Sequence, residues 1–243
     1  FDTVIPCHYG SFGIIDQTNR GMGRNVAYVQ KMAAQAGVEI THATGYYKEP
    51  FLPPECYTLT EQQLCDIMVK ELTEGMEGTG VRATVIGEIG TSKDITETEA
   101  KVFRAASRAH AETGAPICTH TTLGTRGLEQ LEIFKSFGVD LSRVVLSHID
   151  LSADLDYMKR LLDQGVNIAF DTIGKCNYQP DVSRADWLSR LCAEGYDTQI
   201  VMSMDITRRS NFADRGGVGY SYLLDTFAPL ASEAGVPDRA WEN

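Results

Sequence analysis

The chain has 243 residues, 43% hydrophobic and 23% charged, an ordinary globular composition with enough apolar material to bury a core. Its net charge of -11 and pI near 4.9 argue against a nucleic-acid backbone or an anionic membrane surface as partner, and favour a small-molecule substrate. No apolar run approaches the ~20 residues of a membrane span, the opening residues do not resemble a signal peptide, and the cysteines are scattered without a CxxC pair, so the expected setting is cytoplasmic with reduced thiols.

In chain order, strand-like runs fall at 12–18, 39–46, 83–90, 116–121, 143–149, 166–172 and 199–205. Helix-like stretches follow them at 24–36, 60–75, 96–113, 127–137, 155–164, 184–194 and 220–234. Gly or Pro marks most joints, Thr96 with Glu99 matches a capping box, and the Pro-rich stretch 49–55 reads as a rim loop. Strands alternating with helices mean βαβ units and a parallel sheet, and near-continuous apolar strands such as VVLSHI fit a sheet covered by helices. A (β/α)8 TIM barrel has eight such units and this sequence has seven. The expectation is one α/β barrel domain over 1–243 with its first strand missing from the sequence. The absence of an initial Met and the abrupt end at Trp241-Glu242-Asn243 read the same way.

Four of the runs turn polar at their C-terminal ends: Glu88 in GEIGTS, His120 in CTHTTLG, His148 in LSHIDL and Asp205 in MSMDITRR. In a parallel barrel those ends converge on one rim. Two carboxylates and two imidazoles there make a divalent-metal site, most naturally zinc or manganese. A strand-end carboxylate is costly to bury without a cation, and Glu88 between Gly87 and Gly90 suits a bridge between two ions. Asp205 can also take a proton from the attacking water as general base.

Other polar residues near the rim carry less. Asp171 reads equally as a rim hydrogen-bonder or a substrate contact, and Arg208 and Arg209 as an anion-binding pair or as partners of rim carboxylates. Of Tyr46 and Tyr47, one could line the pocket. His8, His42 and His110 carry no assigned chemistry. GMGRN at 21–25 matches neither the dinucleotide nor the P-loop spacing.

The segments TNRGMGRN, ATGYY, GEIGTS, THTTLGTRGLEQL, GVDLSRVVLSHIDL, FDTIGK and SMDITRRS span almost the whole chain. Together they resemble the phosphotriesterase family of the amidohydrolase superfamily, and within it the bacterial homology-protein branch. The resemblance implies a hydrolase with a binuclear zinc-type centre (manganese or cobalt being alternatives) and a bridging hydroxide. It would cleave an ester, lactone, N-acyl or phosphoester bond. Carried over residue by residue, it makes Glu88 the bridge, His120 and His148 ligands, Asp205 ligand and base, and Tyr47 the aromatic of the lactonase pocket; Arg208 is added as a substrate contact only from its place after Asp205. Phosphotriesterases proper use a carboxylated lysine where Glu88 stands. The family's first-strand His-x-His pair occurs nowhere in this chain: either the opening strand is missing from the sequence, as the start without Met reads, or the site is degraded. Two alternatives stand beside this reading. TatD-type deoxyribonucleases also carry GEIG, but followed by LD, with HCFSG and TDSP further on, where this chain has GEIGTS, SHIDL and SMDIT. A barrel kept as a non-catalytic binding module is the other. The expected partners are a small-molecule substrate and a second copy of the chain in a homodimer.

Overall fold

A computed structural model describes residues 13–241. Within them the strands are β1 (Gly13–Asp16), β2 (Glu39–Thr44), β3 (Ala83–Thr91), β4 (Ile117–Thr121), β5 (Val144–Ser147), β6 (Asn167–Phe170) and β7 (Ile200–Met202). They form one sheet in chain order, and every neighbouring pair is parallel. The order never reverses, so there is no switch point of the kind that defines a doubly wound sheet. This is the winding of a (β/α)8 barrel with seven of its strands among the described residues.

The helices are α1 (Val26–Ala36), α2 (Glu55–Thr58), α3 (Glu61–Thr73), α4 (Glu97–Thr113), α5 (Gly127–Ser136), α6 (Leu155–Leu162), α7 (Asp181–Ala193) and α8 (Ala228–Glu233). Their starts follow from the sequence. Asn25 caps α1, Thr60 and Gln63 form a capping box on α3, Thr96 and Glu99 form the expected box on α4, and Asp154 caps α6. On α6 the residues that bury are Met158, Leu161 and Leu162, one stripe at helical spacing. Phe103 of α4 stacks on Phe134 of α5 with ring centroids 5.3 Å apart, and both are fully buried. Each such ring contributes about 1.5–3 kcal/mol of burial, which fastens the two helices over β3 and β4. Among the described residues no helix is long and apolar enough to cross a membrane, and the described cysteines are free thiols.

The structure shortens several of the expected elements, two strand ends at the rim and the last helix among them. Strand 199–205 ends at Met202, and the chain then turns, with Asp205 at φ 46°. Strand 143–149 ends at Ser147, and His148 sits at φ 64°. In both, the functional side chain stands just beyond the last ladder residue, where the backbone can rotate it toward the rim. The last helix is not continuous over 220–234. A wide turn at Leu223–Phe227 precedes α8, because Pro229 in its first turn has no N–H to give the preceding residues. The Pro-rich stretch carries a short helix, α2, that composition did not suggest. His8, and Phe12 at the start of the first run, lie outside the described residues.

The GMGRN loop is structural. Arg24 makes a two-pronged contact with Glu71 (2.9 and 2.6 Å) and reaches Glu77 at 3.0 Å, while Arg20 bonds Glu55 at 2.7 Å and Glu71 at 3.0 Å. Glu71 also accepts from Thr44 at 2.6 Å. Carboxylates from α2, α3 and the loop after it therefore occupy the guanidinium forks of this loop.

Candidate metal centre

Glu88 reaches the rim because of the glycines around it. Gly87 has φ 151°, and a Cβ there would lie 2.3 Å from the Cys118 carbonyl oxygen, so the side chain of any other residue would drive β3 off β4. A Cβ on Gly90 would stand 3.1 Å from the His120 Cβ. The register between β3 and β4 shifts between Ile86 and Ile89, which turns the carboxylate between them toward the two histidines. The Glu88 carbonyl accepts from Asn19, a fully buried residue at the end of the loop after β1, at 2.5 Å.

Glu88, His120 and His148 each offer one ligand atom, and these atoms all lie within 4.8 Å of one another. Glu88 Oε1 is 3.2 Å from His148 Nε2, and its Oε2 is 3.7 Å from His120 Nδ1, so the carboxylate presents one oxygen to each ring. The two imidazoles meet edge to face at 4.7 Å. All three side chains are largely buried, at 17%, 12% and 9% exposure.

The surrounding groups orient these three. Asp171 Oδ1 accepts from the His148 backbone N–H at 2.9 Å and pairs with its Nδ1 at 2.8 Å, which leaves Nε2 for the centre. Gln130, fully buried on α5, donates to the His120 carbonyl at 2.9 Å and to Thr91 at 2.8 Å, tying the ends of β3 and β4 together. The Tyr47 hydroxyl lies 3.0 Å from His120 Nδ1, with the rings edge to face at 4.8 Å. Its neighbour Tyr46 is fully buried in the core, so the alternation along this short stretch sends one tyrosine inward and the other to the rim.

The electrostatics favour a cation. Burial opposes the charge of Glu88, but hydrogen bonds and charge from His120 and His148 outweigh it and hold the carboxyl well below the usual carboxylate range. Burial likewise lowers His148, yet Asp171 and Glu88 together raise it to about 12. A carboxylate-rich site that keeps an imidazolium to balance itself is one that a divalent cation suits, and one carboxylate with two imidazoles is a borderline-metal donor set. Burial, then Glu88 and Asp205, raise Tyr47, which therefore remains a hydrogen-bond donor.

Asp205 stands apart from the triad. Its carboxylate is taken by Lys175, from the loop after β6, in a close ion pair. Burial pushes Asp205 up, and Lys175 opposes that shift. Arg208 is exposed, and among the described residues its side chain is joined to none of Glu88, His120, His148 or Asp205; its backbone N–H bonds Asn211 at 2.9 Å. Asp171 and Lys175 hold more of the site than their places in the sequence imply. The signal was present in FDTIGK, where an acid and a base both follow one apolar strand end. His42 faces Asp16 at 3.2 Å and His110 bonds the Ala115 carbonyl at 2.8 Å, so both do structural work.

Residues 8–243 match the model of the phosphotriesterase family. The phosphotriesterase homology protein of Escherichia coli K12 is 44% identical over 227 residues, covering 93% of this chain and 78% of that protein. Its crystal structure, with phosphate in the active site, superposes with a TM-score of 0.92 at 43% identity, covering 95% of this chain and 80% of that one. The N-acetyltaurine hydrolase of Danio rerio is 32% identical, covering 93% of this chain and 68% of that protein. A lactonase from Listeria monocytogenes has a TM-score of 0.85 at 32% identity, covering 90% and 73% of the two chains.

Proposed function

The chain belongs to the phosphotriesterase family, and on that premise we propose that it is a divalent-metal hydrolase of a carboxylic ester, lactone or N-acyl bond rather than of a phosphotriester. The observation that carries the reading is the largely buried triad Glu88, His120 and His148, each with one ligand atom within 4.8 Å of the others, backed by the further carboxylate of Asp171 on His148. Glu88 would be the carboxylate shared by two metals, zinc foremost, since its two oxygens face two different imidazoles. His120, His148 and Asp205 would complete the ligands this chain supplies. When bound, such metals act as Lewis acids on the substrate oxygen and lower the pKa of bound water toward ~7.

The remaining chemistry falls to the protein. Asp205 accepts the proton of the attacking water on its carboxylate and returns it to the leaving group. Burial raises its affinity for that proton, which suits a group that must both take and give it, and Lys175 keeps the carboxylate aimed. Asp171 holds the His148 ring by Nδ1, so Nε2 cannot swing away. Tyr47 stays protonated and beside His120, placed to donate to a carbonyl oxygen as charge develops on it. A pocket fitted to a planar carbonyl need not accept a bulky tetrahedral phosphorus centre. The named activities of the zebrafish and Listeria relatives, on an N-acyl compound and on lactones, support this choice.

The test compares turnover of the zinc- or manganese-loaded protein on a lactone, an N-acyl amino compound and a paraoxon-like triester. A triester rate ten times the other two, about 1.4 kcal/mol of barrier in the wrong direction, overturns the proposal. A protein that takes up no metal overturns the enzyme reading altogether and leaves a binding module.

A further inference from the structure

We propose that Arg184, in the first turn of α7, is a positioning residue that sets both the His148–Asp171 pair and the Lys175–Asp205 pair. It is fully buried, with no exposed surface at all. Its Nε donates to Asp150 at 2.7 Å, its Nη2 to Thr172 at 2.7 Å, and its Nη1 to Asp181 at 2.8 Å and to the Gln179 carbonyl at 2.5 Å. Two of these contacts, Asp150 and Thr172, lie one or two residues from a member of the centre, and the third side-chain partner, Asp181, reaches it through the loop before α7. Asp150 follows His148 by two positions, and Thr172 follows Asp171 directly. Asp181 in turn accepts from the backbone N–H of Gly174 at 3.1 Å, and Gly174 precedes Lys175. Thr172 also donates to Asp150 at 2.5 Å, so the segments after β5 and β6 are closed against each other around one guanidinium.

Stability alone does not account for this arrangement. A buried ion pair stabilises little over an apolar packing of equal volume, because both charges lose their water. A fork of fixed geometry, however, locks three chain segments in one mutual arrangement, which an apolar side chain or the single charge centre of lysine cannot do. The consequence for turnover rests on the metal-hydrolase reading; the geometric claim does not.

The experiment uses Arg184→Lys and Thr172→Val. In the metal-free protein, the His148 Nδ1 proton bonded to Asp171 gives a downfield proton resonance, assigned by its loss in His148→Asn. Far-UV circular dichroism establishes folding, and Co2+ titration measures affinity. The expected result is a folded Arg184→Lys whose downfield resonance is lost or broadened and whose Co2+ affinity falls by about 10–100-fold, the usual cost of disturbing a ligand's outer partner. Thr172→Val should move both readouts the same way by less. An unchanged resonance and affinity in a folded variant overturns the proposal. So does failure of both variants to fold, which would make the network a stability element only. If native protein hydrolyses none of the substrates above, the functional reading fails while the resonance and Co2+ arms still decide this one.

Discussion

Asp171 grips His148 twice through a single oxygen, accepting from the backbone N–H at 2.9 Å and meeting the ring Nδ1 at 2.8 Å, and this turns Nε2 to within 3.2 Å of Glu88. A histidine at φ 64° on a strand end would otherwise be free to choose among rotamers. The carboxylate removes that freedom and raises the basicity of the ring.

Asp171→Ala should therefore weaken metal binding by about 10–100-fold, with turnover at saturating metal recovering in part. Asp171→Asn keeps an acceptor at the same place and should fall between this variant and the native protein. Metal titration of the two variants, read side by side, checks the order. Equal affinity in Asp171→Ala and native protein would remove Asp171 from the centre.

Glu88→Gln keeps the shape and deletes the charge that two imidazoles now share. Metal content and activity should drop together, because a neutral amide is a poor ligand and cannot bridge. Elemental analysis with parallel assays decides it. Full metal content with undiminished turnover would exclude Glu88 as a ligand.

Tyr47→Phe removes a hydroxyl 3.0 Å from His120 and leaves the ring in place. If that hydroxyl serves the developing oxyanion, kcat should fall by about 100-fold with KM little changed, the pattern of a bond made mainly in the transition state. A rise in KM at constant kcat would make Tyr47 a ground-state contact instead.

The Glu71 cluster predicts the acid limb of stability. Burial works against the Glu71 charge, but Arg24, Thr44 and Arg20 prevail, so its pKa is lowered in the folded chain. A lowered carboxyl stabilises the fold above its unfolded value of 4.5 and loses that contribution as pH falls through the folded one. Thermal melts should show stability falling below about pH 4.5, with a shallower slope in Glu71→Gln. Glu71→Ala at neutral pH should cost about 3 kcal/mol. That is the low end for a buried charge left without its partner, since Glu77 still faces Arg24.

Much of the centre could be read along the chain because its parts are local. GEIG requires glycines where β3 crowds β4, a strand-end histidine follows an apolar β-branched run in both β4 and β5, and seven strand–helix alternations leave few folds but the barrel. Periodicity and strand-end chemistry are short-range, so residue order alone carries them. Three facts were decided by tertiary structure. Tyr46 and Tyr47 are neighbours of the same type, and only the packing around β2 sends one inward and the other to His120. Asp205 meets Lys175 across 30 residues, and Arg184 meets Asp150 across 34, pairs that no spacing rule connects. Which charges neutralise one another depends on distances between strand ends, and those exist only once the sheet has formed and curled.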